Sequence, residues 1–300
     1  MQFIRILLLI VASGLVSLSV NAQQLPLLNQ SHENHNPSAI AGDYFKYELP
    51  TQASIRYRYQ WVSLEDAPRT LSSSFSHYND DYNLLLGGNL LSDQTGPTSF
   101  TGLYGKAAYG IQFGKDWLAS VGLTAGLVQY RIKGEELNFL EPGELANGTI
   151  NKLFPDVGIG ATVYFDNKYY LGVSIPQVFG LDLDFRTAQN DINIERIQHY
   201  YATLGTFVKL HSNSWLEPSL EVRYVENVPM LLTARLEYDY QEIFWVGLHG
   251  STAKSFGTEI GVMWDAGYNL VRLGYSFTNF FQSYGSNFGT THEIGVSVGW

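Results

Sequence analysis

From about Gln52 onward, apolar and polar residues alternate with a period of two. Ala53, Ile55, Tyr57, Tyr59 and Trp61 share one face of a run whose other face carries Ser54, Arg56, Arg58 and Gln60. Met230, Leu232, Ala234, Leu236, Tyr238 and Tyr240 oppose Thr233, Arg235, Glu237 and Asp239, and Phe256, Thr258, Ile260, Val262 and Trp264 oppose Gly257, Glu259, Gly261 and Asp265. Leu220, Val222 and Tyr224 oppose Glu221 and Arg223 in the same way. Such runs predict strands with one apolar and one polar face. About fourteen of them succeed one another to the last residue, where Ile294, Val296, Val298 and Trp300 share a face.

A soluble sandwich would alternate too, so the connections decide. Short ones fall near Asn79–Asp81, Gly114–Asp116, Asp166–Lys168, His211–Ser214, Gln241–Glu242 and Ala266–Tyr268. Between them lie longer ones at Val62–Pro68, Ser92–Pro97, Lys133–Phe154, Gln177–Glu195, Ser251–Ser255 and Thr278–Thr290, with Glu226–Pro229 a short exception. Sorting by parity is the layout of a transmembrane β-barrel, with short turns in the periplasm and longer loops outside. A sheet in lipid must also close, because an open edge would strand unpaired N–H and C=O groups there. The expected fold is therefore an all-β, transmembrane, antiparallel β-barrel of about fourteen strands over residues 51–300, in the bacterial outer membrane, with both termini periplasmic. Trp61, Trp117, Tyr169, Tyr170 and Trp215 suit interfacial girdles.

The ends of the chain add two features. Met1–Ala22 has one charge, Arg5, then an apolar run from Ile6 to Val20 and small residues before Gln23, as in a secretory signal peptide. Residues 23–50 are polar, carry Asn36-Pro37 and Ala41-Gly42, and lack sustained alternation. They are expected to plug the lumen, lie beneath the barrel, or form a flexible periplasmic leader.

Composition narrows the chemistry. The 300 residues hold 18 Lys+Arg, 28 Asp+Glu and no cysteine, for a net charge of −10. The acidic balance opposes phosphate binding, so no nucleic-acid partner is expected. Absence of cysteine excludes disulfides, thiol nucleophiles and cysteine-ligated metals. In His32-Glu33-Asn34-His35 the two histidines stand three apart in a polar segment, not four apart on a helix as a zincin requires. Gly158-Ile159-Gly160 lacks the third glycine and βαβ setting of a dinucleotide loop and reads as glycines on one strand face. Asn147-Gly148-Thr149 fits a glycosylation acceptor but reads as an ordinary turn. His77, His199, His249 and His292 have no spacing that pairs a nucleophile with a base. No enzyme activity, cofactor or metal is expected. The inward charges are mixed: Arg56, Arg58, Arg223, Arg235 and Arg272 with Glu217, Glu221, Glu237, Asp239 and Glu259. Pairing across a narrow lumen explains them better than a conducting pore, which would show a bias of one sign.

The chain also resembles the PorP/SprF family of outer-membrane barrels of the type IX secretion system. The matching pieces run in order: Asn36-Pro37-Ser38-Ala39-Ile40-Ala41-Gly42, Arg58-Tyr59-Gln60-Trp61, Ala67-Pro68-Arg69-Thr70, Ser92–Thr98 with Gly96-Pro97, and Phe154–Gly160. Tyr169–Pro176, Arg196 with His199-Tyr200-Tyr201, Phe244–Gly247, Leu273–Ser276 and Thr291–Gly295 follow. Ser38-Ala39-Ile40 departs from the usual Ala-Tyr after Asn-Pro. The resemblance implies secretion and surface attachment of cargo bearing a type IX C-terminal sorting domain, such as large adhesins including those of gliding motility. It also implies periplasmic and lipoprotein partners of that machinery, besides outer-membrane lipid. On this reading Asn36, Pro37 and Gly42 fix the leader against the lumen, with Arg58 and Gln60 pointing inward. Trp61 marks the upper interface and Gly96-Pro97 shapes an extracellular turn. Arg196, His199, His292 and Glu293 join a polar network near the rim. The alternative is a small-solute porin or a hydrophobic-ligand transport barrel.

Overall fold

The computed structural model describes residues 32–133, 149–179, 182–184, 193–195, 197–211, 213–281 and 289–300. A 3-10 turn at His32–Asn34 and one short helix, α1 (Gly42–Tyr47), precede the strands. β1 (Thr51–Tyr59), β2 (Arg69–Asn79), β3 (Leu84–Thr95), β4 (Thr98–Phe113), β5 (Trp117–Lys133), β6 (Thr149–Phe165) and β7 (Tyr169–Ile175) form consecutive antiparallel hairpins. A small separate ribbon, β8 (Asp182–Asp184) with β9 (Asn193–Glu195), comes next. The wall resumes with β10 (His199–Thr206), β11 (Val208–His211), β12 (Ser214–Val225), β13 (Val228–Tyr240), β14 (Phe244–Ser251), β15 (Ser255–Asp265), β16 (Leu270–Phe280) and β17 (Thr291–Gly299). β10 and β11 both pair with β12 and are one wall strand interrupted at Phe207. Counted so, fourteen strands close into a barrel, because β17 pairs with β1 from Gln52↔Gly299 to Tyr59↔His292.

The period of two decides which side chains meet lipid. Ile55, Leu103, Val121, Leu123, Leu171, Ile260 and Val296 point outward and are exposed, while their neighbours Ser120, Ser276, Arg58 and Glu237 point inward and are buried. At the end where β1 begins and β17 finishes, here called the terminal end, Phe113, Trp117, Phe165, Tyr169, Trp264 and Trp300 are exposed in the manner of an aromatic girdle. Trp117 and Phe165 pack 4.6 Å apart across the β5–β6 pair. Tyr170 and Trp215 depart from the expected girdle. Each falls on the inward parity of its strand and packs in the apolar core inside the barrel.

Turns at the terminal end are tight. Left-handed backbone at Asn83, Gly114, Asp166, Asn167, Asn213, Gln241, Glu242 and Gly267 gives the twist that hairpin turns need. The opposite end carries the longer connections, several with corrected ends: β6 already begins at Thr149 inside the expected Lys133–Phe154 loop, and β16 runs to Phe280 inside the expected Thr278–Thr290 loop. Ser92–Pro97 was expected to be a loop, but β3 runs to Thr95 and only Gly96-Pro97 remains before β4. Ser251–Ser255 narrows in the same way to Thr252–Lys254. Above the lipid, strand pairing continues without apolar alternation, so Ser92, Asp93, Gln94 and Thr95 read as loop yet pair with Thr101, Phe100, Ser99 and Thr98. The signal-peptide segment, the first leader residues, most of the two longest connections and Asn147-Gly148 lie outside the described residues. No helix among the described residues is long and apolar enough to cross a membrane.

Val296 stands mid-strand between Leu273 and Ile55 on the outward face. Val296→Lys is expected to cost about 2–4 kcal/mol in reversible unfolding in vesicles, and Ser297→Lys, which faces the lumen, much less.

Candidate functional site

The site is the lumen. Residues 32–50 fold back on themselves inside the barrel and hold two chemically different walls apart. On the β4–β7 side the fit is close, hydrogen-bonded where the segment crosses the wall and apolar beneath. The wall there has glycine where the segment approaches: a Cβ on Gly122 would lie 2.6 Å from the Pro37 carbonyl carbon, and one on Gly160 would strike the Asn36 side-chain oxygen. A Cβ on Gly172 would meet Asn36 Nδ2 at 2.7 Å. Asn36 donates to Thr162 Oγ1 at 3.0 Å and accepts from the Ser38 backbone N–H at 3.1 Å. The Ser38 and Thr162 hydroxyls lie 2.7 Å apart. The Ile40 N–H donates to the Tyr164 hydroxyl at 2.8 Å.

Beneath this contact lies the core. Ile40, Tyr78, Leu85, Ala108, Leu118, Tyr164, Tyr170 and Phe207 are buried together, with Tyr44 and Phe45 of α1 packed against them. Phe45 lies 4.7 Å from Tyr164 and 5.4 Å from Phe207, ring to ring. A fully buried side chain of this size is worth about 1.5–3 kcal/mol, so this face supplies most of the adhesion. Gly42 sits over Phe207, with room for a Cβ only 3.3 Å from the ring.

The β12–β17 side is charged. Lys46 Nζ stands 3.1 Å from Glu217, 3.3 Å from Glu237 and 3.0 Å from Asp239. Burial alone would depress its pKa, but the three carboxylates, Asp239 foremost, hold it well above the usual lysine value. Arg272 reaches both partners, at 3.1 Å from Asp43 of α1 and 2.8 Å from Asp239 of β13. Tyr47 donates to Asp239 at 2.8 Å and Gln52 to Asp43 at 3.0 Å. Arg235 binds Glu237 and Glu259 on the wall itself. Desolvation offsets much of the Coulombic gain of such buried pairs, so they fix the register of the plug more than they add to its stability. A polar chamber of about 130 Å³ remains between plug and wall, lined by Glu33, Arg56, Glu221, Arg235, Glu259 and Glu293 among others.

The two leading histidines part company. His32 stacks on Tyr170 at 4.6 Å and His35 on Tyr201 at 4.4 Å, with His35 Nε2 3.1 Å from Glu221. Neither gathers a ligand set, and among the described residues no group of three metal-binding side chains occurs. Burial pushes His32 down to about 3, aided by the positive surroundings of His35, Arg235, Lys106 and Lys46.

Of the residues singled out from the sequence, Asn36, Pro37 and Gly42 come together in the plug. Arg58 points into the lumen and is buried. Gln60 pairs through its backbone N–H with Pro68 and Trp61 opens the next turn in left-handed backbone, with Leu64 donating to its carbonyl. The Gly96 N–H donates to Asp66 across the neighbouring loop at 3.2 Å, and Gly96 itself takes the left-handed backbone that leads into Pro97. The expected rim network does not assemble as one. His292 and Glu293 are consecutive in β17 and therefore face opposite sides: His292 lies outside against Tyr275, Glu293 inside and buried. The His199 Nδ1 lies 3.0 Å from the Ile197 carbonyl, and Arg196 lies outside the described residues. Sequence reading missed Lys46, Asp43, Thr162, Tyr164 and the glycine seat. Of the seat, only Gly160 stands out in the sequence, where with Gly158 it reads simply as glycines on one strand face.

A closed fourteen-stranded wall with an apolar outer belt and a lumen filled by its own N-terminal segment defines an outer-membrane β-barrel protein. The chain belongs to the family described as type IX secretion system membrane protein PorP/SprF, which it matches over residues 20–298. No curated protein matches the sequence. Among solved structures it is similar to the CymD monoaromatic hydrocarbon channel, at 9% identity and TM-score 0.54, covering 94% of this chain and 98% of that one. A Pseudomonas aeruginosa FadL homologue is similar at 7% identity and TM-score 0.49, covering 94% and 99%. At 9% identity the likeness to the CymD channel is one of fold.

Two outcomes check the plug. Gly160→Leu is expected to leave the barrel inserted but to unseat Asn36, read as protease cleavage within residues 32–50. Between its folded value near 3 and about 6.5, His32 takes up a proton only when released. The released state therefore binds more protons in that window, and plug stability is full above it and falls as pH drops through it. His32→Phe, which keeps the stack on Tyr170, is expected to flatten the pH dependence of plug protection between pH 6.5 and 4.

Proposed function

We propose that this barrel is a non-catalytic docking and anchoring protein of the outer membrane. It receives cargo that bears a type IX C-terminal sorting domain, such as a large adhesin of the kind used in gliding, after export through a larger channel. The carrying observation is the filled lumen. A segment seated on glycine backbone and pinned by Lys46 and Arg272 leaves a chamber of about 130 Å³, far too small for a polypeptide domain. Work on cargo then falls to the end with the longer connections. Tight turns at the terminal end and longer loops opposite support a periplasmic position for both termini, so that the loops face the exterior. Residues 134–148 and 177–195 are long enough to hold a sorting domain, by strand addition to an exposed edge among other modes. The terminal end is then available to periplasmic and lipoprotein components of the machinery. Transport of small solutes would need an open lumen, which the plug opposes, and transport of a hydrophobic ligand would need either that or a lateral gap in the wall.

A tagged full-length chain, extracted gently from its native outer membrane, is expected to bring down a large surface protein through that protein's C-terminal domain. Deleting 134–148 or 181–192 is expected to release cargo into the medium while the barrel still inserts. Retention of cargo by both deletions, or a barrel recovered alone together with steady conductance in planar bilayers, would overturn the proposal in favour of a porin.

A further inference from the structure

The wall is not equally tall all the way round. β5 and β6 stay paired up to Lys133↔Thr149. β7 accompanies β6 only as far as Ile159↔Ile175, and β10 and β12 end close to that level, at His199↔Val225. One further hydrogen bond, from the Val178 N–H to the Val157 carbonyl at 2.8 Å, clasps the seam. Above that clasp, from Pro155 up to Thr149, β6 has β5 on one side and no strand on the other among the described residues.

Backbone parity says which groups this leaves over. The Asp166 N–H donates to the Asp116 carbonyl on the β5 side, and the Val157 carbonyl accepts from Val178 on the other. Even-numbered residues of β6 therefore turn their N–H and C=O toward β5, and odd-numbered ones turn theirs away. Thr149, Asn151 and Leu153 each present a donor and an acceptor along the open edge, and Pro155 presents a carbonyl alone. A proline costs a ladder nothing at such a position. All four residues are exposed, Leu153 by 63%. Their neighbours Leu153, Asn151 and Thr149 pair with Gln129, Arg131 and Lys133 on β5, so this stretch stands above the hydrocarbon. An exposed row of backbone donors and acceptors is a template for another strand.

We infer that the open edge of β6, Thr149–Pro155, receives an extended segment of the cargo's sorting domain as an added strand. The inference rests on the docking reading above and names its place of contact. Pro155 and the clasp of Val157 with Val178 end the added ladder below and so set its register. Lipid offers no row of backbone groups to match and lies beneath this level. A second barrel in the same membrane stands the same way up. A two-fold axis along the membrane normal would then bring identical groups face to face, N–H against N–H, and no ladder forms. A secreted polypeptide arriving from outside can lie antiparallel to β6 and meet every donor with an acceptor. Its residue opposite Leu153 shares the outward face with that exposed leucine and is expected to be apolar.

The probe is a fluorescent protein fused to the C-terminal sorting domain of the surface protein recovered with the wild-type barrel, titrated onto full-length barrels in detergent. Asn151→Pro with Leu153→Pro removes two N–H donors from the open edge and leaves the ladder to β5 intact, as Pro155 already does at the same parity. Asn151→Ala with Leu153→Ala trims the same side chains and keeps the donors. The expected result is affinity lowered about tenfold or more by the proline pair and much less by the alanine pair, with both barrels inserted and residues 32–50 protected from protease. Equal affinities for the two pairs overturn the inference. A photoreactive benzophenone in place of Asn151 reads the same contact without proline. Cross-linking to the sorting domain is expected. Cross-linking only to the barrel's own chain, with the probe bound, shows the edge already covered and overturns the inference while docking stands. A wild-type barrel that recovers no surface protein fails the docking reading itself and takes this edge with it.

Discussion

Every part of this molecule answers to one constraint: in hydrocarbon, a backbone N–H or C=O must find its partner within the protein. Closure of β1 on β17 meets that constraint for the last exposed edges. Closure creates an interior, and an interior lined by alternate polar residues is costly unless it is hydrated or filled. Here it is filled. The same period of two that sends Val296 to lipid sends Ser297 and Glu293 inward, so the plug must offer charge on one side and can be apolar only where the wall allows. The wall allows it at β4–β7, where glycine and buried aromatics form the seat and inward charges such as Lys106 and Asp156 are few. The two faces of residues 32–50 match the two halves of the barrel around them.

Division of labour between those halves follows from energetics. Ile40 and Phe45 gain from leaving water, and their gain needs no precise angle. Lys46 and Arg272 gain little net, but each demands carboxylates at about 3 Å from β12, β13 or α1 itself. Apolar contact holds the plug in, and ion pairing decides how it sits. A barrel that used charge alone would hold its plug loosely, and one that used apolar packing alone could accept it in several registers.

Much of the wall could be read from residue order. Ile55 and Tyr57 against Arg56 and Arg58 state the face of β1 directly, and the parity of the connections states closure. Strand ends were less legible, because Ser92–Thr95 pair in the region above the lipid where alternation no longer has to be apolar. The plug was the least legible part. Asn36 and Thr162 are 126 residues apart, and no local pattern links a short polar segment to a particular carboxylate cluster or glycine seat. The family motif beginning Asn36-Pro37 marked the segment as notable, but only the lumen explains it: Asn36 is there for Thr162, and Pro37 lies against Gly122. The pairing of His292 with Glu293 in one motif obscured that neighbours on a strand cannot share a side.

The junction between plug and wall has a mechanical consequence. Thr51 exchanges two backbone hydrogen bonds of 2.9 Å with Trp300, so the plug leaves the lumen at the seam where the first and last strands meet. A pull on the leader reaches His32, His35 and Asn36 first, then Asp43 and Lys46, and only then β1. Tension is absorbed by contacts that can reform, in the order in which the chain presents them, before it reaches the seam on which the integrity of the barrel rests. The plug is thereby a strain relief for the wall, and a partner gripping the leader could draw it out segment by segment without unzipping the membrane-embedded sheet.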